Sequence, residues 1–349
     1  MLVQEKVPLA AHTTLGVGGP ARWYTDAESE ADLVDAMRFA RERHLPLFVL
    51  GGGSNLLAAD EGFPGLVVHI ALRGVAQDGD RFRVAAGENW DDLVSRAVAQ
   101  NFGGIECLAG IPGTVGGTPV QNVGAYGQEV SGTVEQVRVL DLKDLQFAEL
   151  PSAACGFAYR RSIFNSTERG RYVVTRVDYR LASGAAPCLS YGDLQRWFRD
   201  RSQTPSLAET AAAVREIRHG KGMLLVEGEP DCRSAGSFFK NPVVPQALFD
   251  AIAAQRSTPP PSYPAQPGFV KVPAAWLLEQ AGFHKGFALG RAGISSRHTL
   301  ALVNRGGATA AEIAALRDCI LAGVTEKFGI RLEPEPVWLG PETSFSLLD

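Results

Sequence analysis

The sequence predicts a protein of mixed strands and helices, α/β or α+β in character. Short apolar segments alternate with amphipathic helical segments between residues 28 and 97. Two later stretches do not show such a pattern. Residues 103–127 are rich in glycine, and residues 256–268 are rich in proline. With 349 residues, the chain is long enough for two or three domains.

In the first half of the chain, the predicted elements follow from capping residues and apolar runs. A helix is predicted over 28–43, where Ser29 can cap the first turn and Asp32 lies three residues on. A second helix is predicted to open at Asn89. Strands are predicted at 47–50, 67–70, 81–86, 134–140 and 172–181.

In the second half, the clearest element is a helix that opens at the capping box Thr309-x-x-Glu312. Its apolar face carries Ile313, Leu316, Ile320, Val324 and Phe328. Another helix is predicted over 207–219, and the proline-rich stretch 256–268 is predicted to be a loop without helix or strand.

Composition argues against several classes of function. Charged residues make up 21% and the net charge is −4, so no basic surface suggests nucleic acid as a partner. No apolar run is long enough for a membrane helix and the N-terminus lacks a signal-peptide pattern, so we expect a cytoplasmic protein. The five cysteines and six histidines show no metal-ligand spacing, so no metal site is expected.

Two glycine segments are the candidate ligand site. Gly51-Gly52-Gly53-Ser54-Asn55 directly follows a predicted strand, and Gly110-Ile-Pro-Gly113-Thr-Val-Gly116-Gly117 lies about sixty residues later. Successive glycine amides can form a concavity that binds an anion. The first segment does not match the dinucleotide fingerprint, because Leu56 stands where the third glycine would be, and it lacks the Lys-Ser/Thr of a P-loop. Together the two segments suggest a long diphosphate ligand with an aromatic ring system, although tight structural turns remain an alternative.

A series of strings resembles the UDP-N-acetylenolpyruvoylglucosamine reductase (MurB) family. They are TTLGVGGPA (13–21), VLGGGSNLL (49–57), GIECLAGIPGTVGGTPVQNVGAYGQEV (104–130), FAYRRSIF (157–164), LSYGDL (189–194), SAGSFFKNP (234–242) and LEPEPVWLG (332–340). The likeness covers nearly the whole chain in order. The segments with Tyr191 and Tyr263 are similar to the type I subgroup, in which a tyrosine closes over the substrate.

The resemblance implies an α+β protein with the FAD-binding fold of the vanillyl-alcohol oxidase/p-cresol methylhydroxylase type in two subdomains, plus a substrate-binding α+β domain. The first FAD-binding subdomain is predicted over 1–70 and 330–349, and the second over 71–205. The substrate-binding domain is predicted over 206–329. A monomer is expected.

The implied reaction is reduction of UDP-N-acetyl-enolpyruvoylglucosamine to UDP-N-acetylmuramate in peptidoglycan precursor synthesis. NADPH would reduce non-covalently bound FAD, and flavin N5 would then deliver hydride to the enolpyruvyl group. Arg160 and Glu335 are implied to stabilise the resulting enolate, and Ser237 is implied to donate the proton. Read without the resemblance, these three residues could equally be a surface ion-pair residue, a turn hydroxyl and an exposed carboxylate.

The resemblance also implies two sets of binding residues. The cofactor set is Gly51, Gly52, Gly53, Ser54, Asn55, Ile111, Pro112, Gly113, Gly116, Gly117, Gln121, Asn122, Gly124, Ala125 and Tyr126. The substrate set is Tyr159, Tyr191, Arg218, Lys221, Asn241 and Tyr263. For Arg218, a solvated basic helix end is the alternative.

Two departures and two alternative functions remain. After Glu335 the family commonly has Val-Arg-Phe, whereas this chain has Pro336-Val337-Trp338, which removes an arginine near the carboxylate. The segment 222–233 is longer than expected, which affects the alignment of Arg218 and Lys221. The alternatives are an FAD-dependent sugar or alcohol oxidase on the same scaffold and a non-catalytic flavin- or UDP-sugar-binding protein.

Overall fold

A computed structural model of the chain describes residues 1–229 and 231–343. The predicted α+β class is confirmed, since most strand pairs are antiparallel and the helices pack against the sheets. Among the described residues, no helix combines the length and apolar character needed to cross a membrane.

The N-terminal region is a four-stranded sheet covered by one helix. Its elements are β1 (Gln4–Pro8), β2 (Pro20–Ala27), α1 (Glu30–Glu42), β3 (Leu47–Leu50), β4 (Leu56–Ala58) and β5 (Phe63–Ile70). The sheet order is β1-β2-β5-β3, and β2, β5 and β3 run parallel. The Ser29 and Asp32 capping box starts α1 as predicted, because each side chain accepts the backbone N–H of the other residue.

The middle region is built on an antiparallel sheet. Its elements are β6 (Val75–Asp78), β7 (Arg81–Ala85), α2 (Trp90–Ala99), β8 (Phe102–Gly103), β9 (Gly124–Ala125), β10 (Gln128–Glu129), β11 (Val134–Asp141), β12 (Gln146–Pro151), β13 (Tyr172–Arg180), β14 (Ala182–Ser183), α3 (Gly192–Trp197) and α4 (Leu207–Gly220). The five-stranded order is β12-β11-β13-β7-β6. Alternate residues such as Val137, Val139 and Val177 enter the core, which explains the period-two pattern of the sequence.

The third region holds two smaller sheets. Its elements are β15 (Ser234–Ser237), β16 (Val243–Pro245), α5 (Gln246–Ala254), β17 (Tyr263–Pro264), β18 (Phe269–Lys271), α6 (Ala274–Gln280), β19 (Ala288–Leu289), β20 (Ala292–Ile294), β21 (Ala301–Asn304), α7 (Ala310–Phe328) and β22 (Val337–Leu339). The sheet orders are β15-β21-β20-β19 and β16-β18-β17. The five apolar residues predicted for the face of α7 are all buried.

The prediction that 256–268 contains no strand was wrong. Tyr263 and Pro264 form β17, which pairs antiparallel with Lys271 and Val270 of β18. A two-residue edge strand tolerates proline, since an edge residue need not donate on its outer side.

The end of the described chain returns to the N-terminal region. Strand β22 pairs in parallel with β4, so that Val337 lies opposite Leu56. Leu339 is buried together with Leu9, Leu50 and Phe63. This return places the segment before β22, which contains Glu335, beside the first glycine segment. Residues 344–349, which the domain prediction included, lie outside the described residues.

Candidate active site

The first glycine segment turns sharply after β3. Gly53 has φ +60°, and a Cβ at this position would lie 1.8 Å from the carbonyl oxygen of His12. Only glycine fits here, because any other side chain would overlap the backbone of the 12–14 segment. The turn therefore sets the course of the backbone through Ser54 and Asn55.

The two glycine segments touch each other. A Cβ on Gly52 would lie 2.7 Å from the Cα atom of Gly113, and a Cβ on Gly113 would lie 2.9 Å from Ser54 Oγ. The absence of side chains lets the two backbones approach each other. Paired glycine backbones of this kind are suited to the diphosphate of a dinucleotide, the class of ligand that the two segments suggest.

The remaining members of the predicted cofactor set flank this contact. Gly116 packs on Ala86, Gly117 is exposed, and Gly124 and Ala125 form β9. Ile111, Pro112 and Gln121 are half-buried, and Tyr126 is buried.

Asn55 joins the first glycine segment to Gln121 and to the C-terminal segment. Its side-chain nitrogen donates to Gln121 Oε1 at 3.0 Å and to the carbonyl oxygen of Glu335 at 3.2 Å. Its own carbonyl accepts the N–H of Val337 at 2.9 Å. One asparagine thus holds the backbone of Glu335 beside the first glycine segment.

Arg160 and Glu335 meet at the edge of this region. Arg160 Nε lies 3.5 Å from Glu335 Oε2, and the Glu335 side chain is only 11% exposed. Burial raises the pKa of Glu335 above its ordinary value, although the positive charge of Arg160 opposes this shift. Within the described part of the chain, Arg160 Nε is buried and makes no hydrogen bond. A substrate acceptor within hydrogen-bond distance of this Nε would satisfy it.

Ser237 ends strand β15 and lies beside a histidine that the sequence analysis did not identify. Ser237 Oγ is 3.4 Å from His298 Nε2. Burial, together with the charges of Lys221, Lys285 and Arg218, lowers the pKa of His298 to about 4, so this imidazole is neutral at pH 7. No local motif marks His298, because its position depends on the pairing of β15 with β21.

Backbone contacts connect Ser237 with Glu335. The residue after Ser237, Phe238, accepts the N–H of Glu335 at 2.9 Å, and Phe239 forms a bridge with Pro334. The three predicted catalytic residues therefore come from three separate segments, in which Arg160 pairs with Glu335 and Phe238 connects Glu335 to Ser237.

Three aromatic residues of the predicted substrate set are exposed large side chains: Tyr159, Tyr191 and Tyr263. The ring of Tyr191 packs edge-on against Tyr126 at a centroid distance of 5.4 Å. Lys221 Nζ lies 5.6 Å from the centre of the Tyr126 ring and pairs with Asp193. This cluster places tyrosines and a cation beside the second glycine segment.

Three predicted binding side chains are occupied by protein contacts. Arg218 is 7% exposed, and it donates to the carbonyl oxygens of Gly110 at 3.1 Å and Met223 at 2.6 Å. Asn241 accepts the N–H of Ala274 at the start of α6. Asn122 is 1% exposed and bonds to Glu129 and Ala158. Arg218 is thus not at a solvated helix end, the alternative that the sequence left open.

Comparison with protein-family models supports both the predicted FAD-binding fold and the resemblance to the reductase family. Residues 22–144 match the model of an FAD-binding domain. Residues 229–339 match the model of the C-terminal domain of UDP-N-acetylenolpyruvoylglucosamine reductase. The crystal structure of UDP-N-acetylenolpyruvylglucosamine reductase (MurB) from Thermus caldophilus is similar, with a TM-score of 0.68 and 29% identity. That match covers 97% of this chain and 100% of the other.

Full-length relatives carry the same name. The UDP-N-acetylenolpyruvoylglucosamine reductase of Streptomyces coelicolor is 45% identical, with coverage of 97% of this chain and 91% of the relative. The corresponding protein of Thermobifida fusca is 47% identical, with coverage of 96% of this chain and 98% of the relative. With likeness of this extent and with paired glycine segments that fit FAD, the chain belongs to the UDP-N-acetylenolpyruvoylglucosamine reductase family of FAD-binding enzymes.

Proposed function

We propose that the protein converts UDP-N-acetyl-enolpyruvoylglucosamine to UDP-N-acetylmuramate, with NADPH as the reductant, in cytoplasmic peptidoglycan precursor synthesis. The similarity to named reductases over almost the whole chain supports the reaction class. The observation that carries the proposal is the approach of Arg160 to Glu335 beside the glycine segments. FAD, when bound, supplies the hydride that it has received from NADPH.

Arg160 binds and stabilises the substrate carboxylate. Hydride addition to the enolpyruvyl double bond leaves negative charge that spreads onto this carboxylate as an enolate. The buried Nε of Arg160 has no acceptor among the described residues, so its N–H is available for that charge. A donor that is already in place costs little reorganisation when the charge develops.

Ser237 donates the proton that completes the reduction. A serine hydroxyl is a weak acid, so its alkoxide needs stabilisation as the proton leaves. Neutral His298 provides it by donating Nε2–H to Ser237 Oγ, from which it lies 3.4 Å away. A protonated Glu335, favoured by its burial, can hydrogen-bond the enolate oxygen together with Arg160.

The UDP-sugar lies along three exposed tyrosines, Tyr159, Tyr191 and Tyr263, whose rings offer stacking surfaces. Lys221 offers a positive charge to the diphosphate. Arg218 acts from behind the second glycine segment through its bond to Gly110, and Asn241 acts through the start of α6. FAD is bound non-covalently, and the protein is a monomer.

Replacement of Ser237 tests the proposal, because it separates the two halves of the cycle. Ser237→Ala leaves reduction of FAD by NADPH intact and slows reoxidation by the enolpyruvyl substrate by about 10²–10⁴-fold, the usual range for a general acid. Anaerobic stopped-flow absorbance of the flavin measures both rates. Ser202→Ala, an exposed serine in a loop, is the control and keeps both rates at the wild-type level.

Ser237→Cys recovers part of the reoxidation rate, because a thiol also donates a proton. If Ser237→Ala slowed reduction and reoxidation of FAD equally, Ser237 would have a structural role and would not be the proton donor. If molecular oxygen but not the UDP-sugar reoxidised the wild-type protein, the oxidase alternative would replace the reductase.

A further inference from the structure

The backbone of Arg160 has an unusual conformation for an arginine. Its φ is +54°, in the left-handed region that favours glycine. Ala158 and Arg161 close a tight turn around it through reciprocal backbone hydrogen bonds of 2.9 and 3.0 Å. A positive φ at the second central position of such a turn normally calls for glycine or asparagine. Contacts around the turn must therefore hold Arg160 in place.

Two asparagine side chains hold this turn by its carbonyl groups. Asn165 Nδ2 donates to the carbonyl oxygen of Arg160 at 3.1 Å, while Asn165 Oδ1 accepts the N–H of Ser162 at 2.9 Å. Asn122 Nδ2 donates to the carbonyl oxygen of Ala158 at 3.1 Å. The Asn165 side chain thus binds the carbonyl of Arg160 itself, and the Asn122 side chain binds the carbonyl at the start of the turn.

The turn is also anchored to the residues that follow the second glycine segment. Ser162 Oγ donates to the carbonyl oxygen of Val120 at 2.5 Å. A Cβ on Gly124 would lie 3.4 Å from one terminal nitrogen of Arg160, so the guanidinium rests against β9. The backbone conformation therefore determines where the guanidinium lies relative to both β9 and Glu335.

We propose that Asn165 is a positioning residue that keeps Arg160 in the left-handed conformation and so presets its guanidinium against Glu335. Asn122 assists from the other side of the turn. The inference rests on the proposed function for its effect on turnover, since Arg160 is there the donor to the developing enolate. Its structural part, the energetic coupling between Asn165 and the backbone of residue 160, is independent of any substrate.

Asn165→Asp in the holoenzyme tests the effect on the reaction. Aspartate keeps the acceptor for the Ser162 N–H but turns an oxygen toward the carbonyl of Arg160. We expect reoxidation at saturating UDP-sugar to slow by about 10–100-fold, because small displacements of a positioned group have effects of this size. Reduction by NADPH stays unchanged. Arg161→Ala, the exposed neighbour on the same turn, is the matched control and leaves both rates unchanged.

A double-mutant cycle distinguishes positioning from general damage. In an Arg160→Ala background, Asn165→Asp causes no further slowing of reoxidation, because no guanidinium remains to be positioned. If Asn165→Asp slowed reoxidation by the same factor in the wild-type and Arg160→Ala backgrounds, the proposal would be overturned. An equal slowing of reduction by NADPH would also overturn it.

A second cycle, on thermal unfolding, requires no substrate. Asn165→Ala lowers the melting temperature of the wild-type protein more than that of Arg160→Gly, since glycine adopts the positive φ without help. Equal shifts in the two backgrounds would overturn the structural part. If the wild-type protein itself is not reoxidised by the UDP-sugar, the proposed function fails, and this cycle still decides the role of Asn165.

Discussion

Arg160 and Glu335 belong to distant segments of the chain, yet their side chains lie 3.5 Å apart. The opposite charge of Arg160 would ordinarily lower the pKa of a carboxyl group. At Glu335 burial is the larger effect and raises the pKa. The distance of 3.5 Å is longer than that of a normal hydrogen bond, so this ion pair does not satisfy the Nε–H donor of Arg160.

His298 gives a prediction on the effect of pH. Its pKa is about 4 in the folded protein against about 6.5 in an unfolded chain. Below pH 6.5 the unfolded state therefore binds more protons, and the free energy of unfolding falls as the pH is lowered from 6.5 to 4, by at most roughly 3–4 kcal/mol from this group. Urea unfolding at a series of pH values measures this loss. His298→Gln makes the stability less sensitive to acid over this range.

The exposed His284 supplies the control for this experiment. His284→Gln should reproduce the acid sensitivity of the wild-type protein. His12, whose pKa burial also lowers, contributes in the same direction in all three proteins. If the free energy of unfolding of His298→Gln fell with decreasing pH as steeply as that of the wild-type protein, His298 would be accessible to protons in the folded state.

The contact between the two glycine segments, the proposed cofactor site, gives a prediction at the level of elements. In Gly52→Ala the new Cβ would lie 2.7 Å from the Cα atom of Gly113, so the segments must separate. We expect a loss of stability of about 1–3 kcal/mol, typical of overpacking, and weaker binding of FAD. Thermal unfolding and titration of the apoprotein with FAD measure the two effects.

Gly132→Ala is the matched control. Apart from its chain neighbours, no heavy atom of the described residues lies within 4 Å of a Cβ at this position. Both FAD affinity and stability should stay near the wild-type values. Normal FAD binding by Gly52→Ala would show that the glycine segments can separate without cost, and that their contact does not form the diphosphate site.

Helices were predictable from the sequence where their signals are local. The capping boxes at Ser29 and Thr309 start helices at the expected places, because each box satisfies backbone donors within its own first turn. Strand β17 was not predictable. Its two residues form a strand by pairing with β18. They lie in a proline-rich stretch, whose composition predicts a loop.

At the scale of the whole molecule, the buried side chains suggest a different domain boundary. The sequence placed residue 206 at the start of the substrate-binding domain. Ala211, Ala213 and Val214 of α4 instead lie in the same buried cluster as Val94 of α2 and Val137 of β11. We propose that α4 belongs to the second FAD-binding subdomain and that the substrate-binding domain begins after Gly220.

The proposed function predicts the kinetic order of the reaction. In it, NADPH and the UDP-sugar each bring a reacting carbon within about 3–3.5 Å of the same flavin nitrogen, so we expect their binding to be mutually exclusive. We expect ping-pong kinetics, with parallel lines in double-reciprocal plots of initial rates at several fixed concentrations of the second substrate. Intersecting lines would indicate two simultaneous sites and contradict this arrangement.

The sequence by itself determined the α+β class, the glycine segments, the family and the identity of the candidate catalytic residues. These follow from local chemistry: caps, apolar periodicity, and strings that carry Arg160, Ser237 and Glu335. Only the tertiary structure decided which groups surround those residues. The contact of Ser237 with His298 and the burial of Arg218 arise between segments that are distant in sequence. The bond from Asn165 to Arg160 is local, but it depends on a left-handed turn that no sequence pattern marks. Their geometry depends on strand pairing, turn conformation and desolvation, which are properties of the folded chain.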